Sequence, residues 1–146
     1  MSKRDVTMKK LKLMVVDDNI EFCNLVKEYA KITNGIKFCS AAHDGITALK
    51  LIRELHPDVI ILDSVMPQLN GIGVMKHLQN MPKELRPKVV AITASMTTYY
   101  ITLMYKLGAN YVISKNSDVE EMLERCLLIS DPERYIEKQE QLMLSL

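Results

Sequence analysis

The sequence predicts a doubly wound α/β domain: a five-stranded parallel sheet in the order 2-1-3-4-5, helices on both faces, and a helical extension at the C-terminus. Three observations predict it. Short apolar runs of strand length alternate with stretches of helical period along residues 11–129. The run Val59–Leu62 is apolar throughout, as a strand covered on both faces must be. Finally, the runs at residues 11–16 and 59–62 both lead straight into aspartates, at the carboxyl edge where open α/β sheets build their sites.

Leu11–Val16 reads as the first strand and runs into Asp17-Asp18-Asn19. From Ile20, apolar residues recur at Phe22, Leu25, Val26 and Tyr29, then Ala30 and Ile32, which is helical spacing. Asn19 is its predicted cap and Asn34-Gly35 its predicted stop. Ile36–Ala42 is a second strand of weaker pattern. Asp44-Gly45 opens a helix carrying Ile46, Ala48, Leu49, Ile52 and Leu55, which His56-Pro57 stops.

Val59–Leu62 is the third strand. Beyond the Met66-Pro67 to Gly71 loop, Ile72, Val74, Met75 and Leu78 form a third helix, ended in the Met81-Pro82 region. Val89–Ile92 is the fourth strand, entered through Pro87 and left at Thr93-Ala94-Ser95. Thr97–Leu107 is a fourth helix ending at Gly108, and Tyr111–Ile113 a short fifth strand. Ser117 or Asp118 caps the fifth helix, whose apolar side is Val119, Met122, Leu123, Cys126, Leu127 and Ile129. Asp131-Pro132 starts one more helix, with Tyr135, Ile136, Gln139, Leu142 and Met143 along one side.

The chain of 146 residues therefore divides into a basic arm or tag (1–10), one domain (11–130) and a C-terminal helical extension or truncated linker (131–146). The extension could fold onto its own domain, pair two copies, or lead to a further domain. A formal net charge of +1 provides no field for nucleic acid or membrane. No apolar run approaches the roughly 20 residues of a membrane span, and no signal peptide is evident, so a cytoplasmic location is expected. The 3 cysteines are widely spaced, without metal-ligand or disulfide patterning, and are expected as small apolar residues in a reducing compartment. The methionines read as core filler, and His43, His56 and His77 form no cluster.

At the switch point between the first and third strands, Asp17, Asp18 and Asp63 become neighbours. Crowded carboxylates repel, so one takes a proton or a cation joins them. Oxygen ligands with room for several waters suit Mg²⁺. Thr93 ends the fourth strand with a hydroxyl, small Ala94 leaves the backbone open beside it, and Lys115 follows the fifth with an ammonium. A carboxylate surrounded by these groups is equipped for phosphoryl transfer, with an Asp63 oxygen attacking phosphorus to form an acyl phosphate. Taken singly the residues are ordinary: Asp17 or Asp18 could cap a helix, Thr93 end a strand, Lys115 be solvated. Their joint placement on four strand ends carries the reading.

Asp17-Asp18, Asp63-Ser64-Val65-Met66-Pro67 with Gly71, Thr93-Ala94, Gly108-Ala109 and Lys115 also stand in the order and spacing of bacterial response-regulator receiver domains. The chain resembles that family over about Leu11–Ile129. The resemblance implies a flavodoxin-like (βα)5 fold in a two-component system or phosphorelay. Asp63 would be the phosphoacceptor, Asp18 a direct ligand of Mg²⁺ (or Mn²⁺), and Asp17 a ligand through water. The Val65 carbonyl would face the metal, and Thr93 and Lys115 would contact the phosphoryl oxygens. The donor would be a phosphohistidine on a sensor histidine kinase or histidine phosphotransfer protein. Within the family, Gly108-Ala109-Asn110-Tyr111 looks most like the receiver of the sporulation transcription factor of spore-forming bacteria.

Two positions depart from the family pattern. A proline usually follows the lysine through a cis bond; here Asn116 follows Lys115. A cis bond at a non-proline residue costs about 2.5–4 kcal/mol, so a trans bond and a re-routed loop are expected. Val112 stands where many members carry an aromatic switch, with Tyr111 on the opposite face. Val65 and Ser95 would flank the phosphoryl group, and an apolar Val65 cannot orient an attacking water, so a long-lived acyl phosphate is expected.

The expected output surface comprises the fourth helix, fifth strand and fifth helix, where Tyr99, Tyr100 and Tyr105 could serve a partner or homodimer. This domain would contact no nucleic acid itself. It is expected to be the receiver of a transcriptional regulator, with a stand-alone relay module or an unphosphorylated, degenerate receiver as alternatives. A flavodoxin-like redox protein is disfavoured, because the two aspartates after the first strand would repel a cofactor phosphate.

Overall fold

The apolar strands are explained by a sheet buried on both faces. The computed structural model describes residues 9–66 and 69–146; the expectations for residues 1–8 and for Pro67 lie outside these. Strands β1 (Leu11–Val16), β2 (Ile36–Ala42), β3 (Val59–Asp63), β4 (Lys88–Thr93) and β5 (Tyr111–Ser114) run parallel in the predicted order β2-β1-β3-β4-β5. The helices are α1 (Ile20–Lys31), α2 (Gly45–Leu55), α3 (Gly71–Gln79), α4 (Thr98–Lys106), α5 (Val119–Ser130) and α6 (Pro132–Leu144). A 3₁₀ turn at Lys83–Leu85, unforeseen from the sequence, leads into β4.

Strand alternation sorts the core into two layers. Met14, Val16, Ile60, Leu62, Val89, Ala91 and Val112 pack on the side of α2, α3 and α4. Leu13, Val15, Val59, Ile61, Val90, Ile92 and Ile113 pack on the side of α1 and α5. Tyr111 and Val112 therefore do face opposite layers. The strands' last residues are carried out together on one edge of the sheet.

Asn19, Asp44, Asn70 and Thr97 each cap a helix through a side-chain oxygen, closing on the N–H of Phe22, Thr47, Gly73 and Tyr100. Several expectations need correction. Helix α1 stops at Lys31, before Asn34-Gly35, because Thr33 hydroxyl donates to the Tyr29 carbonyl and closes the last turn early. Helix α3 stops at Gln79, before Met81-Pro82. Asp118 occupies the first position before α5, but its side chain makes no capping hydrogen bond.

Ile20, Leu25 and Ile46, counted with the apolar stripes of α1 and α2, are exposed; Cys23, Val26 and Ala30, and Ala48, Leu49 and Ile52, do the packing. Helix α6 leaves Ile136, Leu142 and Met143 exposed and packs against α5. Met96 and Met143 are also exposed, so not every methionine is core filler.

Gly71 is constrained by a close approach. Its N–H donates to the Ser64 carbonyl at 3.2 Å, and a Cβ there would lie 2.5 Å from the Asp63 carbonyl oxygen and 2.9 Å from the Ser64 Cα. Both neighbours are backbone, so neither yields. Gly71→Ala is expected to destabilise the fold by about 1–3 kcal/mol, read as a lower midpoint in thermal unfolding. An unchanged midpoint would show that the β3–α3 connection has slack.

Candidate functional site

The end of β1 turns an apolar strand into a carboxylate without leaving the core: Asp17 is 0% exposed. Its Oδ1 accepts the Asn19 N–H at 2.8 Å, bending the chain into α1. Its carbonyl accepts from Nδ1 of His43 at 3.0 Å and from the Cys23 thiol at 3.4 Å. A carbonyl can only accept, so His43 carries its proton on Nδ1. The sequence assigned His43 no role; its loop gives no linear signal that it reaches the β1 end. Burial, with the Asp17 charge behind it, pushes the Cys23 thiol up to about 11, so it remains protonated.

Asp63 closes β3 and is 4% exposed. The N–H of Val65 donates to its Oδ1 at 3.4 Å, holding the carboxylate against the following loop. Asp17, Asp18 and Asp63 each offer an oxygen within 4.8 Å of the others, Asp18 from the exposed side. Burial and then the Asp17 charge hold the Asp63 carboxyl above the ordinary carboxylate range, against the opposing pull of Lys115.

Lys115 lies in the turn directly after β5 and enters this cluster. Its Nζ donates to Asp17 Oδ1 at 3.2 Å and to Asp63 Oδ2 at 3.3 Å. It also lies 2.9 Å from Asp17 Oδ2, a close ion-pair contact with that buried oxygen. Burial alone would lower the Lys115 pKa, but its bond to Asp17 and the Asp63 charge raise it on balance. The Phe22 ring of α1 lies 5.6 Å from Nζ and shields one side of the ammonium.

All peptide bonds among the described residues are trans, including Lys115–Asn116. Without a proline, residue 116 keeps an N–H, and Ser114 Oγ accepts it at 3.1 Å. The Lys115 N–H donates to the Thr93 carbonyl at 2.9 Å. The expected trans bond is present, and the ammonium still reaches the carboxylates.

Thr93 is buried at the end of β4, but its hydroxyl faces its own loop. It donates to the Ser95 carbonyl and accepts the Ser95 N–H, both at 3.1 Å. The Val65 side chain stands 73% exposed at the rim. The geometry thus unites Asp17, Asp18, Asp63 and Lys115, and leaves Thr93 nearby but engaged elsewhere.

The donor set fits a small divalent cation. Three carboxylates converge within 4.8 Å of one another, and the one lysine that enters the cluster reaches two of them, Asp17 and Asp63. An oxygen ligand field of this kind suits Mg²⁺ or Mn²⁺ rather than a soft metal.

Comparison with known proteins agrees with this geometry. A profile described as the response regulator receiver domain matches residues 13–127. The structure is similar to the receiver domain of the Francisella response regulator 1452, with a TM-score of 0.76 and 27% identity, covering 85% of this chain and 99% of that one. It is also similar to the response regulator domain of Thermotoga maritima CheB, with a TM-score of 0.75, 25% identity, and coverage of 84% and 98%. The CheY chain of a CheX–CheY–BeF3–Mg complex from Borrelia burgdorferi shares the fold at 21% identity, with a TM-score of 0.76 and coverage of 85% and 92%.

Proposed function

The chain belongs to the response regulator receiver domain family, and from that premise we propose that it is a phosphorylation-activated switch whose acceptor is Asp63. The donor is a phosphohistidine on a sensor histidine kinase or a histidine phosphotransfer protein. An Asp63 carboxylate oxygen attacks phosphorus and the P–N bond breaks. The electron pair returns to the imidazole nitrogen, and an acyl phosphate remains on Asp63.

Asp17, Asp18 and Asp63, with the Val65 carbonyl, would hold Mg²⁺ or Mn²⁺, which when bound offsets negative charge as the phosphoryl group approaches. Lys115 orients the carboxylate and supplies a fixed positive charge to the phosphoryl oxygens. The observation that supports this reading best is the sharing of one ammonium between two buried carboxylates, Asp17 and Asp63. One ammonium offsets only one of these two buried charges.

A phosphoryl group adds about −1.5 to −2 charges. Thr93, released from Ser95, would turn toward that charge, and its loop leads into α4. The α4-β5-α5 face is therefore the proposed output surface. Tyr99 on α4 is 78% exposed there and suits a partner or a second copy of the chain. Residues 11–130 form the receiver in this reading, and 131–146 an extension or linker toward an output domain, such as that of a transcriptional regulator. With Val65 apolar and exposed, no side chain at that position holds a hydrolytic water, and the acyl phosphate is expected to persist for minutes or longer.

The test is incubation with acetyl phosphate and Mg²⁺, followed by measurement of hydroxylamine-labile phosphate and its decay. Folded wild-type protein that takes up none would overturn the reading and make this a degenerate receiver. Decay within seconds would overturn the long-lived intermediate alone.

A further inference from the structure

Helix α4 is anchored unevenly. Of its residues only Met104 is fully buried, against four in each of α3 and α5, so it opens more cheaply than these neighbours. In its C-terminal half, Tyr105 hydroxyl accepts the Val112 N–H at 3.1 Å and so covers the outer edge of β5. In its N-terminal half, Tyr100 packs its ring into the layer beneath α2–α4. Its hydroxyl is buried there without a hydrogen-bond partner, a condition that costs free energy until an acceptor is found.

One polar neighbour is informative. Ser64 lies beside the phenol, and burial together with the Asp63 charge pushes the Tyr100 pKa up while Ser64 opposes the shift. Ser64 directly follows the acceptor and is fixed to the sheet. Its N–H donates to the Ile92 carbonyl and its carbonyl accepts from Gly71 N–H, both at 3.2 Å. A hydroxyl on a helix with a single fully buried residue therefore faces, unbonded, a hydroxyl on the hydrogen-bonded acceptor strand end.

We propose that Tyr100 and Ser64 form a latch between α4 and the acceptor strand, open in this structure and closed by a hydrogen bond from Tyr100 Oη to Ser64 Oγ when Asp63 is phosphorylated. The inference rests on Asp63 being the acceptor. Thr93 leaving Ser95 frees residues 94–97, and the N-terminal half of α4 can then settle until Tyr100 finds its acceptor. An aromatic residue on α4, rather than one on β5, thereby transmits the state of the site. Val112 needs no ring for this. Tyr100 is a positioning residue and touches no reacting atom.

The test compares wild type, Tyr100→Phe and Ser64→Ala as the full chain, with acetyl phosphate and Mg²⁺. Phosphate uptake is measured alongside amide hydrogen exchange of residues 98–106. Wild type is expected to gain about two- to tenfold protection in the first half of α4 on phosphorylation, the effect of one neutral hydrogen bond. Tyr100→Phe should take up as much phosphate, be at least as well protected as wild type when unphosphorylated because the unpaired buried hydroxyl is gone, and show no further gain on phosphorylation; Ser64→Ala should also lack the gain. A full gain in Tyr100→Phe would overturn the latch while leaving Asp63 as acceptor. Loss of uptake in a folded Tyr100→Phe would also overturn it, by placing Tyr100 in the acceptance step. Absence of uptake in wild type would overturn the acceptor reading and the latch together.

Discussion

Asp63→Asn is expected to take up no phosphate from acetyl phosphate and Mg²⁺, and to unfold at a higher temperature than metal-free wild type. The first effect follows from removal of the nucleophile: an amide cannot form the acyl phosphate, so loss should be complete rather than partial. The second follows from electrostatics. Asp63 is raised above the ordinary carboxylate range by burial and by Asp17, so its ionised form is disfavoured in the fold. The stability linked to its protonated form is present below the unfolded-state pKa and is lost as pH rises through the folded-state pKa. At neutral pH it is gone, and an uncharged amide recovers part of it. The difference between variant and wild type, a few degrees in midpoint, should shrink on acidification below the carboxylate range. It should shrink also on addition of Mg²⁺, which stabilises only the chain that binds it. An Asp63→Asn variant that still acquires hydroxylamine-labile phosphate would move the acceptor to another carboxylate.

Lys115→Met has the opposite sign. Asp17 and Asp63 would lose the ammonium they share, leaving two buried carboxylates side by side. Removing one partner from a buried ion pair costs about 3–5 kcal/mol, and the lower end applies because the lysine side chain is 26% exposed. A midpoint lower by roughly 6–12 °C is expected, at about 2–4 °C per kcal/mol for a domain of this size. Mg²⁺ should restore much of that loss, since a cation can replace the ammonium among the carboxylates. Phosphate uptake should fall sharply even with Mg²⁺ present. A midpoint equal to that of wild type would show that the pair contributes no stability. A variant that Mg²⁺ does not rescue would argue against a cation site at Asp17, Asp18 and Asp63.

The fold was readable because its rules are local. Val59–Leu62 has no polar face, so it had to be covered on both sides; Asn19 and Asp44 are caps whose partners lie three residues away. Errors arose where a boundary depended on something farther off or on one competing bond. Thr33 closing onto Tyr29 ended α1 early. Ile20 and Ile46 fit a helical stripe, yet the sheet lay on the other side of each helix.

In the site, the carboxylates were legible because of their joint placement: each strand-end aspartate alone could be a helix cap, but the fold order makes Asp17, Asp18 and Asp63 neighbours. His43 on the Asp17 carbonyl, Phe22 beside Lys115 and Tyr100 beside Ser64 were not legible as site neighbours. Each depends on a rotamer chosen by packing against a distant element, and no periodicity records that.

The sequence by itself determined the doubly wound sheet, the family and the carboxylate cluster at its edge, because alternation, caps and strand-end placement are fixed by residue type and spacing. Only the tertiary structure decided what those groups do to one another. It directed Lys115 onto Asp17 and Asp63 despite Asn116, turned the Thr93 hydroxyl onto Ser95, and left the Tyr100 hydroxyl without an acceptor. The physical reason is range: hydrogen bonds and charge pairs act over a few ångströms in space, whatever their separation along the chain.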